Sequence, residues 1–215
     1  MRALEPDYIF LSVSFADCSR AIRAMEEAIR LAEDDGEVLD GATVKPWLEI
    51  FDHIRLALHF SASVSRMLFP VGTKEAAEPA GKRRRKFSEQ QLNSIRRGMR
   101  LREIVGVEDT HPIHDRELRN RVEHLDEYLD VWVGDLPRPY FVVEKNIDED
   151  IPDGLRRDLE ESCPIIYYSF SGDFVICGYR FNILNIKLGL VDIQERIGSA
   201  IIAFGQADKD PLPTQ

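Results

Sequence analysis

Apolar residues recur three and four apart over long stretches of this chain, the spacing that gathers them on one side of an α-helix. Phe15, Cys18, Ile22, Met25, Ile29 and Ala32 form the first such seam and predict a helix from near Ser14 or Asp17 to Glu33, closed by Asp34, Asp35 and Gly36. Trp47, Ile50, Phe51, Ile54, Leu58, Ser61, Val64 and Leu68 form the second, with Pro46 suited to its first turn and Pro70 stopping it after Phe69. A short polar loop between the two predicts an antiparallel helical hairpin. Positions 71–87 hold two glycines and a proline and no apolar period, which predicts a long connection. Ser88 with Gln91 three residues on makes a capping box for a third helix, which carries Leu92, Ile95, Met99 and Ile104 and ends at Gly106. Leu118, Val122, Leu125, Leu129 and Trp132 step by four, three, four and three and predict one continuous fourth helix over 114–132.

Beyond Trp132 the pattern changes. Gly134, Pro137 and Pro139 break the helix, and positions 138–145 predict a short strand. An acidic loop leads to a short helix near Leu155 to Glu161. Positions 165–170 and 174–187 then predict two strands joined at Ser171, Gly172 and Asp173 as a β-hairpin. Ile193, Ile197 and Ile201 predict a closing helix over 190–204, and the last ten residues read as a disordered tail. The expected fold is mainly α: a four-helix up-down bundle over residues 1–132, a small C-terminal α+β lobe over 133–205, and the tail, 206–215.

The fourth helix carries more than its seam explains. At about 100° per residue, Arg116, Asn120, His124 and Glu127 fall away from the apolar side and Arg119 lies at its edge. Asn120 and His124, four apart, are neighbours on that face. Arg119, Asn120 and, after three residues, His124 resemble the R-N-x-x-x-H signature of HEPN domains, with the preceding helices similar in arrangement and the C-terminal third outside the likeness. The resemblance implies a helical bundle that dimerises with its motif helices facing each other, and implies one of two functions. The first is a metal-independent endoribonuclease, toxin-like or tied to defence or stress, in which Arg119 holds the scissile phosphate, His124 acts as general acid or base and Asn120 orients one or both. The second is a non-catalytic dimeric module that binds a nucleotide or a protein partner. Without the likeness, the same residues make an ordinary solvated face, with Arg119 and Glu123 as an i, i+4 ion pair.

Charge bears on this choice. The net charge is −10, yet from Lys82 to Arg121 twelve basic residues face six acids, an excess of six that leaves −16 on the remainder. An acidic body argues against non-specific coating of nucleic acid, whereas a basic segment suits a selective RNA or nucleotide contact. Lys82, Arg83, Arg84, Arg85 and Lys86, with Arg96, Arg97, Arg100 and Arg116, are the candidate RNA contacts; a solvated loop is the alternative for the run from Lys82 to Lys86.

Other chemistry is sparse. Cys18, Cys163 and Cys177 are too few and scattered for a disulfide framework, which fits a reduced cytoplasm. The second seam is interrupted by His53, Arg55 and Arg66, and no span or signal sequence is expected. His111 and His114 suggest zinc with His124 or Asp115, but a fourth ligand is lacking, and no metal or cofactor is expected. His53 and His59, six apart, do not share a helix face. Serine-hydrolase, P-loop and dinucleotide motifs do not occur.

Overall fold

The computed structural model describes residues 6–34, 37–39, 42–44, 46–71, 87–134, 144–147 and 149–207. The run from Lys82 to Lys86, most of the strand expected over 138–145 and the tail from 208 lie outside these residues, as does the Arg116 side chain. The chain is mainly helical, with a small four-stranded mixed sheet.

Helix α1 (Pro6–Glu33) starts earlier than its apolar seam suggests. Its buried residues include Leu11, Ser14, Cys18, Ala21, Met25, Ala28 and Ala32, alternately three and four apart. This stripe is rotated from the expected one: Ser14, Ala21 and Ala28 replace Phe15, which stays exposed, and Ile29, which is only partly buried. Small side chains let the neighbouring backbone approach, and that neighbour is α2 (Trp47–Leu68), which returns antiparallel after a two-stranded hairpin, β1 (Glu37–Leu39) and β2 (Ala42–Val44). The direction is fixed by side chains. Ser14 lies 3.1 Å from the Met67 sulfur, Ser63 donates to Asp17 at 2.8 Å, and the Arg20 guanidinium covers the Phe60 ring.

Helix α3 (Glu89–Val105) begins with the expected capping box, Ser88 and Gln91 exchanging bonds of 3.2 and 2.8 Å, and ends on Gly106 in the left-handed region. It buries Ile95, Gly98, Leu101 and Val105, while Met99 and Ile104 face outward. Gly98 has a steric cause: a Cβ there would lie 2.3 Å from the Pro70 ring at the end of α2.

A 3₁₀ turn (Pro112–His114) leads into α4 (Arg116–Glu123) and α5 (Leu125–Gly134). The sheet follows in the order β3 (Glu144–Ile147), β4 (Ile165–Tyr168), β5 (Asp173–Ile176), β6 (Tyr179–Asn182), with β3 parallel to β4 and the rest antiparallel. Helix α6 (Asp153–Ser162) makes the crossover between β3 and β4. Strand β4 is buried on both faces, as its unbroken apolar run requires. Ile165 and Tyr167 enter the main core, while Ile166 and Tyr168 join a smaller cluster with Val175, Cys163 and Leu159 of α6. The stretch expected as one strand over 174–187 is instead β5, a turn and β6. At the turn Cys177 and Gly178 both have positive φ, 47° and 76°, as a two-residue hairpin demands.

The chain closes with α7 (Ile183–Ala207), which begins seven residues before the expected position 190 and lies antiparallel along α1. Gln194 bonds Ser19 at 2.6 Å, Lys187 pairs with Glu26 at 3.0 Å, and Phe204 meets Tyr8 edge-on. Ile183, Ile186, Leu190, Ile193 and Ile197 are buried in the same core as Leu11, Ile50 and Leu118. Ile165, Tyr167, Phe174, Ile176 and Phe181 of the sheet join that same core, while Ile147, Cys163, Ile166, Tyr168 and Val175 form the smaller cluster beside it.

Candidate functional site

Asp115 sets the start of the motif segment. Its Oδ1 accepts from the Glu117 and Leu118 amides at 2.9 and 3.1 Å, an N-cap that fixes the phase of α4. The helix does not continue through residue 132 as expected. His124 is the C-cap of α4, with φ −124° and ψ 39°, and α5 begins at Leu125. Neither Gly nor Pro stands at the break, so the cause is tertiary. Arg66 of α2 pairs with Glu123 at 2.7 Å, and Arg121 is held between the rings of Tyr128 and Tyr179. Arg121 also donates to Glu117 and to the carbonyls of Ile176 and Cys177, so α4 is pinned to the β5–β6 turn. Tyr179 completes the joint with a 2.8 Å bond to Asp115; burial, then this bond, pushes its phenol up to about 12.

The three motif residues consequently sit in different surroundings. Arg119 is only 3% exposed, packed against α2, with its Nη1 donating to the Phe69 carbonyl at 3.1 Å. Asn120 is half-buried, and its carbonyl accepts the His124 amide at 2.8 Å, closing α4. The His124 side chain is 52% exposed, its Nδ1 3.3 Å from a Glu127 carboxylate oxygen. Glu123, expected opposite Arg119, is the partner of Arg66.

The candidate RNA contacts that are described are tied to the body of the protein. Arg100 forks onto Asp7 with bonds of 2.9 and 3.1 Å, and the Arg97 guanidinium lies 4.4 Å over the Phe10 ring, so both bind α3 to the start of α1. Arg96 is exposed and lies 3.7 Å from Glu89.

The two histidines of the 3₁₀ turn have structural partners. His111 receives the Ile113 amide on Nδ1 and reaches Asp192 of α7 through Nε2, each at 3.2 Å. His114 donates from Nδ1 to the Asp109 carbonyl at 2.6 Å and stacks on Phe69. They border an open recess of about 420 Å³ whose polar lining also includes Asp115, Arg180, Asn182 and Asn185. Arg180 there is held by Asp173 and Glu160. No group of three or more His, Cys, Asp or Glu among the described residues could hold a metal ion, and no described helix is long and apolar enough to cross a membrane. All three cysteines are free thiols.

Sequence reasoning missed a second concavity, beside α4. Leu58, Val122, Leu125, Ile165, Phe174 and Ile176 line a recess of about 260 Å³, with Arg55, His59 and Arg121 also on its walls. These residues come from α2, α4, α5 and the sheet, and no short stretch of sequence contains more than three of them. Comparison of the chain with protein-family models, curated proteins and solved structures finds no match in any of the three.

Proposed function

We propose that this chain is a non-catalytic, HEPN-like regulatory module that dimerises and recognises a protein partner with a basic surface. The burial of Arg119 carries the reading. A metal-independent ribonuclease needs a guanidinium aimed at the charge that develops on the phosphate and a histidine within reach of the same atoms. Here Nη1 of Arg119 donates to the Phe69 carbonyl and the side chain is buried against α2.

The surrounding surface supports the same reading. Glu123, His124, Asp126, Glu127 and Asp130 are exposed around the junction of α4 and α5, and this acidic face repels a phosphodiester backbone while attracting basic side chains. Helix α5 buries none of its residues and leaves Val131 and Val133 exposed, which offers apolar area to a second copy. The endoribonuclease reading rests on His124, whose exposed imidazole is accessible to a substrate.

The deciding experiment incubates a mixed RNA pool in EDTA with wild type, Arg119→Ala and His124→Ala, with folding checked by circular dichroism and mass by light scattering. Intact RNA and a dimer-sized wild type are expected. Cleavage in EDTA that disappears in a folded His124→Ala variant would overturn the non-catalytic reading and establish the nuclease.

A further inference from the structure

The 260 Å³ recess beside α4 combines two features that point to one kind of ligand. Its floor is apolar, built from Leu58, Val122, Leu125, Ile165, Phe174 and Ile176, and every polar residue lining it is basic. Arg55 lies on α2 with an exposed side chain, and His59 stands one helical turn later on the same helix. Arg121 enters from α4.

The charges at the rim are only partly matched. Arg55 is paired with Glu144 and lies 3.8 Å from Asp52, and Arg121 is paired with Glu117, but none of these acids lines the recess. Nε of Arg55, Nη2 of Arg121 and both ring nitrogens of His59 make no hydrogen bond to a described residue. Guanidinium groups with spare donors beside an apolar wall favour an oxyanion on an apolar body, because the charge-assisted bonds form where water is partly excluded.

Size narrows the class. At roughly 30 Å³ per small heavy-atom group, the share a water molecule takes in the liquid, the recess admits about eight or nine such groups, enough for the carbons of a medium-chain carboxylate with its two oxygens at the basic rim. A mononucleotide, with over about twenty heavy atoms, is too large. We propose that the recess is a binding site for a small organic acid with an apolar body, of the size of a medium-chain carboxylate, whose carboxylate meets Arg55, His59 and Arg121 while its chain lies on the floor. This site goes beyond the regulatory reading and does not depend on it.

The test titrates the full chain with octanoate, 1-octanol and adenosine monophosphate, following methyl resonances of Leu58, Val122, Leu125, Ile165 and Ile176. Octanoate is expected to shift these methyls and to bind at least tenfold more tightly than octanol. Arg55→Gln combined with His59→Gln, both at exposed positions, should weaken octanoate at least tenfold and leave octanol unchanged. Methyls that stay fixed at millimolar octanoate, octanol binding as well as octanoate, or adenosine monophosphate moving the same methyls would each overturn the proposal. None of these outcomes bears on whether RNA is cleaved.

Discussion

Arg119 and His124 differ in what the fold asks of them, and stability measurements separate the two. Removing the Arg119 side chain leaves a buried carbonyl and unfilled space between α2 and α4, so Arg119→Ala should cost about 2–4 kcal/mol by the combined loss of a buried hydrogen bond and of packing. His124→Ala removes a half-exposed ring and should change stability by no more than about 0.5 kcal/mol. Urea denaturation of both variants checks this. Equal and small effects would mean that Arg119 is held loosely enough to reach a ligand. The helical wheel places Arg119 at the edge of the apolar seam, and that much was legible. Its inward turn was not, because the acceptor is a main-chain carbonyl fifty residues away whose position depends on where α2 ends.

At the level of elements, the 3₁₀ turn before α4 is fastened to α7 through His111, and this fastening depends on pH. The Asp192 carboxylate can only accept, so Nε2 of His111 carries the hydrogen, while Nδ1 must stay bare to receive the Ile113 amide. Only the neutral ring satisfies both. Burial holds the imidazole below its usual range, against the pull of Asp192, and Arg196, which bonds Asp192 at 2.9 Å, adds to the lowering. The unfolded chain therefore takes up the proton first. The stability that the neutral ring supplies is present above the ordinary histidine pKa near 6.5 and is lost as pH falls through the lower folded value. Thermal unfolding compared at neutral and mildly acid pH should show this loss in wild type and a shallower one in His111→Gln; identical slopes would show that His111 is not its source.

Elements were legible where the signal was local. The Ser88–Gln91 box, the stop at Gly106 and the spacing along α2 depend on neighbours within a turn or two. The fourth helix is predicted as continuous because its break at His124 has no Gly or Pro to announce it and is imposed by Arg66, Tyr128 and Tyr179. The Cys177–Gly178 turn went unrecognised since the apolar run either side reads smoothly as one strand. The α1 stripe is rotated from the one its larger apolar residues, Phe15 and Ile29, mark out, because close helix packing selects Ser14 and Ala28.

For the whole molecule the decisive element is α7. Its five buried aliphatic residues, Ile183, Ile186, Leu190, Ile193 and Ile197, contribute about 1.5–3 kcal/mol apiece on burial, which in sum approaches the entire stability of a typical domain. A chain ending at Asn182 should therefore lack a cooperative thermal transition, with much of its helical circular dichroism lost. A truncated chain that melts sharply near the wild-type temperature would show that the preceding helices hold a core without it.

The sequence by itself determined the helical character of this protein, the end of α1, both ends of α2 and α3, the hairpin after Tyr168 and the presence of the Arg-Asn-x-x-x-His motif, since each of these rests on periodicity, capping or turn residues close by in the chain. The tertiary structure decided which side of α1 is buried, that α7 lies along it, that α4 stops at His124, that Arg119 turns inward, and that Arg55, His59 and Arg121 meet over one apolar recess. Those outcomes depend on contacts between residues tens to well over a hundred positions apart, where the gain from packing and paired charge outweighs any local preference.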